Sequence, residues 1–244
     1  MATSYNLSIL VPVYNEERTL ERLLGKLAKV KFQSKVHVII VNDGSKDKSQ
    51  EIIDGWIEQN HPFLDIEVIT HKKNRGKGAG IQTGLKVARG KYFVIQDADL
   101  EYDPAEIPTL LKEALKTGAP VIYGSRFLGE IRNMAKPNYL GNRTYNILIS
   151  VLYGVHMTDM HTCYKMLDTK LFRSLRIQSQ GFAYATEVIS KLLRQKIPIK
   201  EMPISFNGRT VKEGKKINIK DGVECLTQII YFRFESREKL LGKS

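Results

Sequence analysis

Residues 94–104 read VIQDADLEYDP and place four carboxylates within seven positions: Asp97, Asp99, Glu101 and Asp103. Like charges this close repel, and the chain as a whole carries a formal charge of +12, so the acids are gathered against the overall composition. The apolar run YFVI leads straight into them, which sets them at the end of a buried strand. Two aspartates one residue apart can both reach a crevice if the strand breaks into a turn there. Oxygen ligands of this kind suit Mg²⁺ or Mn²⁺, ions that keep positions open for waters and substrate phosphates. Asp103, directly before Pro104, reads instead as the cap of the next helix. That explanation does not extend to Asp97 and Asp99, which precede the helix.

Other polar clusters offer what a nucleoside diphosphate needs. VPVYNEE places Asn15 and Glu16 after a strand, where a carboxylate can accept bonds from ribose hydroxyls. NDGS puts Asp43 within reach of a base N–H, and NRGKGAG offers Arg75 and Lys77 among glycines that would let backbone approach a phosphate. Singly these are weak signals, since NDGS is also a common turn and a lone glycine-rich loop often misleads. No GxGxxG follows the first strand and no GxxxxGK[ST] occurs, which argues against a dinucleotide oxidoreductase or a P-loop phosphotransferase. His161 and Cys163 lack partners at zinc-ligand spacing.

The elements that must carry these groups alternate. LSILVPV, VHVIIVND, DIEVITH, KYFVIQDAD and APVIYGSR read as strands. Helical patterns separate them, with Ser45 or Asp47 a candidate cap for the second. Near-continuous apolar strands between helices imply an α/β fold with a mostly parallel sheet buried on both faces. In such sheets ligands sit beyond the carboxyl ends of the strands, so the polar clusters converge on one crevice. From about Phe127 the chain changes character: GNRTYNILISVLYGV and FAYATEVISKLLRQ read as helices, TDMHTCYKMLDTKLFRSL as a loop and helix, and PIKEMPISFNGRT as a strand. The tail, VECLTQIIYFRFESREKLLGKS, begins as a helix with an aromatic face and ends basic.

Hydrophobic content of 42% and charged content of 26% are those of a soluble globular chain, and 244 residues can bury a sizeable core. Two cysteines form no framework, which points to a reduced compartment. No leader pattern opens the sequence and no apolar stretch is long enough to span a bilayer, so the expected location is cytoplasmic, with peripheral contact at the membrane face as a further option. The positive charge attracts anions without naming them. A nucleic-acid-binding domain leaves the acidic strand end unexplained and lacks helix-turn-helix, RRM or zinc-finger patterns.

VPVYNEE, VNDGSKDKS, NRGKGAG, the DAD of QDADLEYDP and GSRF, in this order, resemble the family 2 glycosyltransferases across residues 7 to about 130. GSRF, GNR, TDMHTCYKM and GRTVKEGKK resemble the polyprenyl-phosphate sugar transferases, the dolichyl-phosphate mannose synthase group, over roughly 124–222. The resemblance implies a GT-A fold: one catalytic domain over 1–244, with a nucleotide-sugar half (1–126), an acceptor half (127–222) and a C-terminal helix and basic tail (223–244). It implies a nucleotide-sugar donor, a divalent metal and inversion at the anomeric carbon. Pro12, Tyr14, Glu16 and Asp43 would surround the nucleoside, Lys77, Asp97 and Ala98 would lie along the donor, and Asp99 and Glu101 would ligate the metal. The position of Glu101 is often Gln in that group, so this ligand set is more negative. Arg126, Arg143, Arg209 and Lys215 would hold an acceptor phosphate.

A phosphomonoester acceptor is largely ionised near neutral pH and needs no general base, whereas a hydroxyl acceptor does. The leading expectation is transfer of mannose or glucose from a GDP- or UDP-sugar to polyprenyl phosphate. The alternative is transfer to a saccharide hydroxyl, with Asp159 or another acid as base. Asp159 can equally orient Lys165 or an arginine, and Arg143 can be a solvated helix face. ILISVLYGV and the aromatic-basic tail fit either a membrane interface or core and subunit contacts, with a membrane subunit as another anchor.

Overall fold

The computed structural model describes residues 5–209 and 219–236. The five apolar runs form β1 (Tyr5–Val13), β2 (Val36–Asn42), β3 (Leu64–Thr70), β4 (Gly90–Ile95) and β5 (Val121–Ser125). Between them lie α1 (Leu20–Ala28), α2 (Ser49–Ile57), α3 (Lys77–Val87) and α4 (Ile107–Thr117). β2 is buried at every position, as a strand covered on both faces must be. α1 buries Leu20, Leu23, Leu24 and Leu27, the single stripe that its leucine spacing dictates. The N-cap position of α2 is Lys48, which makes no side-chain cap bond, and Asp47 just before it accepts from Ser49 N at 3.0 Å through Oδ1. α4 stops at Gly118, whose φ of 67° turns the chain into the left-handed region.

After β5 come β6 (Ile131–Arg132), α5 (Lys136–Tyr153), β7 (Lys165–Asp168), α6 (Thr169–Ser174), α7 (Tyr184–Arg194), β8 (Lys200–Pro203), β9 (Phe206–Asn207) and α8 (Ile219–Phe234). Here the structure corrects the sequence expectation: part of TDMHTCYKMLD, read as loop, is the strand β7. The main sheet runs β3-β2-β1-β4-β7-β5-β8, with β7 antiparallel to both neighbours and every other pair parallel. β7 and β8 thus bring the second part of the sequence into the sheet of the first.

The order places β2 and β3 on one side of β1 and β4 on the other. The carboxyl ends of β1 and β4 therefore flank the switch point at which sheets of this kind open a crevice. Around the sheet, Ile9, Val38, Phe93 and Ile122 are fully buried, each large apolar side chain stabilising by roughly 1.5–3 kcal/mol. No described helix is long and apolar enough to cross a membrane.

Candidate active site

The chain leaves β4 at Ile95 and breaks at once. Gln96 is fully buried and ties the exit down: its Nε2 donates to Asp97 O at 3.0 Å, and Tyr164 Oη donates to its Oε1 at 2.5 Å. Leu100 adopts φ 63°, a left-handed conformation unusual for a branched residue, and Asp99 Oδ1 accepts from Glu101 N at 3.1 Å to close the turn. Asp97, Ala98, Asp99 and Glu101 all line a cavity of about 1020 Å³. Asp103 faces away from it and accepts from Ala105 N at 3.1 Å, capping the turn ahead of α4.

Each acid of the turn meets a different environment. Lys77 Nζ, at the start of α3, donates to Asp97 at 2.7 Å. Burial pushes the Asp97 carboxyl up, but the Lys77 ammonium outweighs it and holds the group below its usual range. Asp99 goes the other way, to about 7. Burial is the main cause, the charges of Asp97 and Glu101 add to it, and Arg209 only partly opposes them. The segment beyond β9 supplies that arginine: Arg209 Nη2 donates to Asp99 Oδ2 at 3.0 Å and Nη1 to Glu16 Oε2 at 3.1 Å, while its backbone N–H donates to Glu101 Oε1 at 2.8 Å.

Arg126 enters from the end of β5. Its guanidinium donates to Asp159 through Nε and Nη2, each at 2.7 Å, and its backbone N–H adds a third bond at 3.0 Å. Asp159 is fully buried and is not part of the cavity wall, whereas Arg126 is. Of the roles open to Asp159, the geometry selects orienting an arginine. Both of its carboxylate oxygens accept from Arg126, the arrangement that the orienting role requires.

The first two strand ends complete the polar wall. Pro12, Tyr14 and Glu16 line the cavity after β1, and Asp43 after β2. Asp43 is heavily used by its own chain: it accepts from Gly76 N (2.8 Å), Arg75 N (2.9 Å) and Asn74 Nδ2 (3.0 Å), and its Oδ1 lies 2.6 Å from His71 Nδ1. It fixes the loop that delivers Lys77. Two of the glycines there also sit against the chain itself. A Cβ on Gly78 would stand 2.2 Å from Ser179 O, and one on Gly76, at φ 94°, 2.6 Å from Gln180 O. They let residues 179–180 press against the start of α3.

Arg143 does not join the site. It is exposed on α5, 5.8 Å over the Phe127 ring, and is absent from the cavity wall. Lys215 lies outside the described residues. What α5 turns to the cavity is Asn138, Gly141, Asn142 and Tyr145. That face has the i, i+3, i+4, i+7 spacing of one helix side, a signal present in the sequence one residue away from the arginine singled out. Lys165, named from the sequence only as a group Asp159 could orient, is at the start of β7 a buried cavity residue whose amine burial pulls down to about 8. His161 lies there too, with a buried Nε2 that has no partner among the described residues.

Mg²⁺ or Mn²⁺ can be tested against this donor set. Among the described residues no three His, Cys, Asp or Glu side chains group closely enough to hold an ion alone. Mg²⁺ ordinarily takes one or two carboxylates together with substrate phosphates, and Asp99 and Glu101 are such a pair. Asp99 already holds the Arg209 guanidinium and Glu101 the backbone N–H of the same residue, so both carboxylates turn oxygens to one point and fit a hard cation.

Comparison with known proteins agrees with this geometry. The sequence profile described as "Glycosyl transferase family 2" matches residues 8–176. A dolichyl-phosphate beta-glucosyltransferase of Dictyostelium discoideum is 27% identical over 93% of this chain and 74% of its own length. A dolichol-phosphate mannosyltransferase of Pyrococcus furiosus is 32% identical over 85% of this chain, which spans 58% of that relative. Among solved structures, glucosyl-3-phosphoglycerate synthase from Mycobacterium tuberculosis, in complex with Mn²⁺, UDP and glucosyl-3-phosphoglycerate, superimposes with a TM-score of 0.68. It is 14% identical, over 98% of this chain and 81% of that one. With the profile covering most of the chain, and a mostly parallel sheet of the GT-A kind beneath the site, this protein belongs to glycosyl transferase family 2 and is a glycosyltransferase.

Proposed function

We propose that the enzyme moves a hexose, mannose or glucose, from a GDP- or UDP-sugar to a polyprenyl phosphate, with inversion at the anomeric carbon. An acceptor phosphate oxygen forms the new bond to the anomeric carbon as that carbon's bond to the nucleoside diphosphate breaks. Asp99 and Glu101 would hold Mg²⁺ or Mn²⁺, which supplies positive charge to the departing diphosphate. Lys77 keeps Asp97 ionised and in place beside the donor, and Tyr14 and Glu16 flank the nucleoside. Arg126, held by Asp159, and Arg209 offer cations to phosphate oxygens.

One observation carries the choice of acceptor. Every described carboxylate of the cavity wall (Glu16, Asp43, Asp97, Asp99, Glu101) lies at a strand end of the first half, while α5 contributes amides and a phenol. From the end of β5 onward the chain brings cations to the wall, Arg126, Lys165 and Arg209, and a phosphate acceptor needs such cations and no base. The names of the two dolichyl-phosphate relatives support the same reading. Peripheral membrane contact is supported by exposed Leu140, Ile147 and Val151 on α5 and Leu226, Ile230 and Phe234 on α8. Assaying a panel of GDP- and UDP-hexoses against polyprenyl phosphate and against saccharides tests the acceptor. Pelleting with anionic vesicles tests the membrane contact, which is contradicted if the protein stays in the supernatant.

A further inference from the structure

The guanidinium of Arg209 joins carboxylates that belong to two strand ends, Glu16 beyond β1 and Asp99 beyond β4, while the backbone of the same residue holds Glu101. Its side chain is only 15% exposed. Nε is buried and has no partner among the described residues. The cation is therefore bonded to metal-type oxygens on one side and leaves a donor unused.

We propose that Arg209 is an exchangeable counter-ion. It neutralises Asp99 and Glu101 when no divalent cation is bound and withdraws when one binds, so that metal entry and release of the guanidinium are a single event. The proposal rests on the reading that Asp99 and Glu101 hold the metal. Two physical requirements point to it. Clustered, largely desolvated carboxylates are stabilised as ions by a positive charge beside them, because an unpaired charge out of water is costly. An arginine and a metal ion drawn to the same Asp99 oxygen repel each other, so the binding of one weakens the hold of the other. The released fork, with its unused Nε–H, then suits bidentate contact with a phosphate. Arg209 thus links a loaded donor site to readiness for an anionic acceptor.

Because the arginine competes with the metal, removing it should tighten metal binding rather than weaken it. The test is Mn²⁺ titration of the full chain, without nucleotide, by electron paramagnetic resonance of free Mn²⁺. The wild type is compared with Arg209→Gln, Arg209→Lys and Asp99→Asn. The proposal expects Arg209→Gln to bind Mn²⁺ about tenfold more tightly, Arg209→Lys to stay near wild type, and Asp99→Asn to lose binding. It also expects Arg209→Gln to have a lower Tm without metal, and Mn²⁺ to restore it. Equal or weaker Mn²⁺ binding by Arg209→Gln, with binding lost in Asp99→Asn, overturns the exchange and leaves the metal site standing. Saturable Mn²⁺ binding that survives Asp99→Asn, or none in any variant, overturns the metal-site reading and the exchange with it.

Discussion

Asp159 holds Arg126 by two parallel side-chain hydrogen bonds of 2.7 Å, the arginine standing in the cavity wall and the aspartate buried behind it. The fork reaches across from the end of β5 to the loop before β7, and Glu201 fixes that loop by accepting from Thr158 N and Asp159 N. A guanidinium fixed this way presents a set orientation to whatever anion enters. Asp159→Asn should cost about 3–5 kcal/mol of stability, because it leaves a buried arginine without its counter-charge. Combining it with Arg126→Met should recover part of that loss. Urea unfolding of the three variants checks this, and additive losses would show that the pair is not coupled.

Arg143→Ala should leave the acceptor KM within about twofold of wild type, since the side chain is exposed over Phe127 and stabilises little. Arg126→Lys should raise it much more, because an ammonium cannot reproduce the two-pronged grip of Asp159. Steady-state kinetics at saturating donor distinguish the two.

Gly78→Ala should destabilise the protein by about 1–3 kcal/mol, because the new methyl would meet Ser179 O at 2.2 Å and backbone must move. Donor affinity should fall with it, since Lys77 is the preceding residue. Denaturant melts and donor-binding calorimetry report the two effects separately.

Lys165 gives a pH signature. Its folded pKa, about 8, lies below the value of 10.5 for a free lysine, with burial as the main cause. Between those values the unfolded chain binds more protons than the folded one, so stability should rise as pH increases from about 8 to 10.5. The gain is on the order of 3 kcal/mol. Lys165→Met should remove this slope, as measured by unfolding at a series of pH values; an unchanged slope would assign it to another group.

How much of this was legible in the sequence follows from the range of the interactions involved. The strands β1 to β5 declare themselves by continuous apolar runs, and their polar ends locate the crevice without any long-range information. The turn at Asp97–Glu101 and the cap at Asp103 are likewise local. β7 was not legible: KMLD is four residues long, and its place between β4 and β5 is set by partners far away in the chain. Arg209 could be suspected of binding phosphate, but its meeting with Glu16, 193 residues earlier, has no local signature. The glycines of NRGKGAG show a third limit. Their presence signals close approach, and only the fold reveals that what approaches Gly76 and Gly78 is the chain itself, at residues 179–180.

The central claim is that the acidic turn and the arginines form one site for joining a sugar to a phosphate. The most direct measurement is incubation of the full chain with GDP- and UDP-hexoses, polyprenyl phosphate and Mg²⁺, with lipid products analysed by mass spectrometry. The account predicts a polyprenyl-phosphate hexose of inverted anomeric configuration, lost in Asp99→Ala and on chelation of the metal. Glycosylation of a saccharide hydroxyl with polyprenyl phosphate left inert, or full activity in Asp99→Ala, would contradict it.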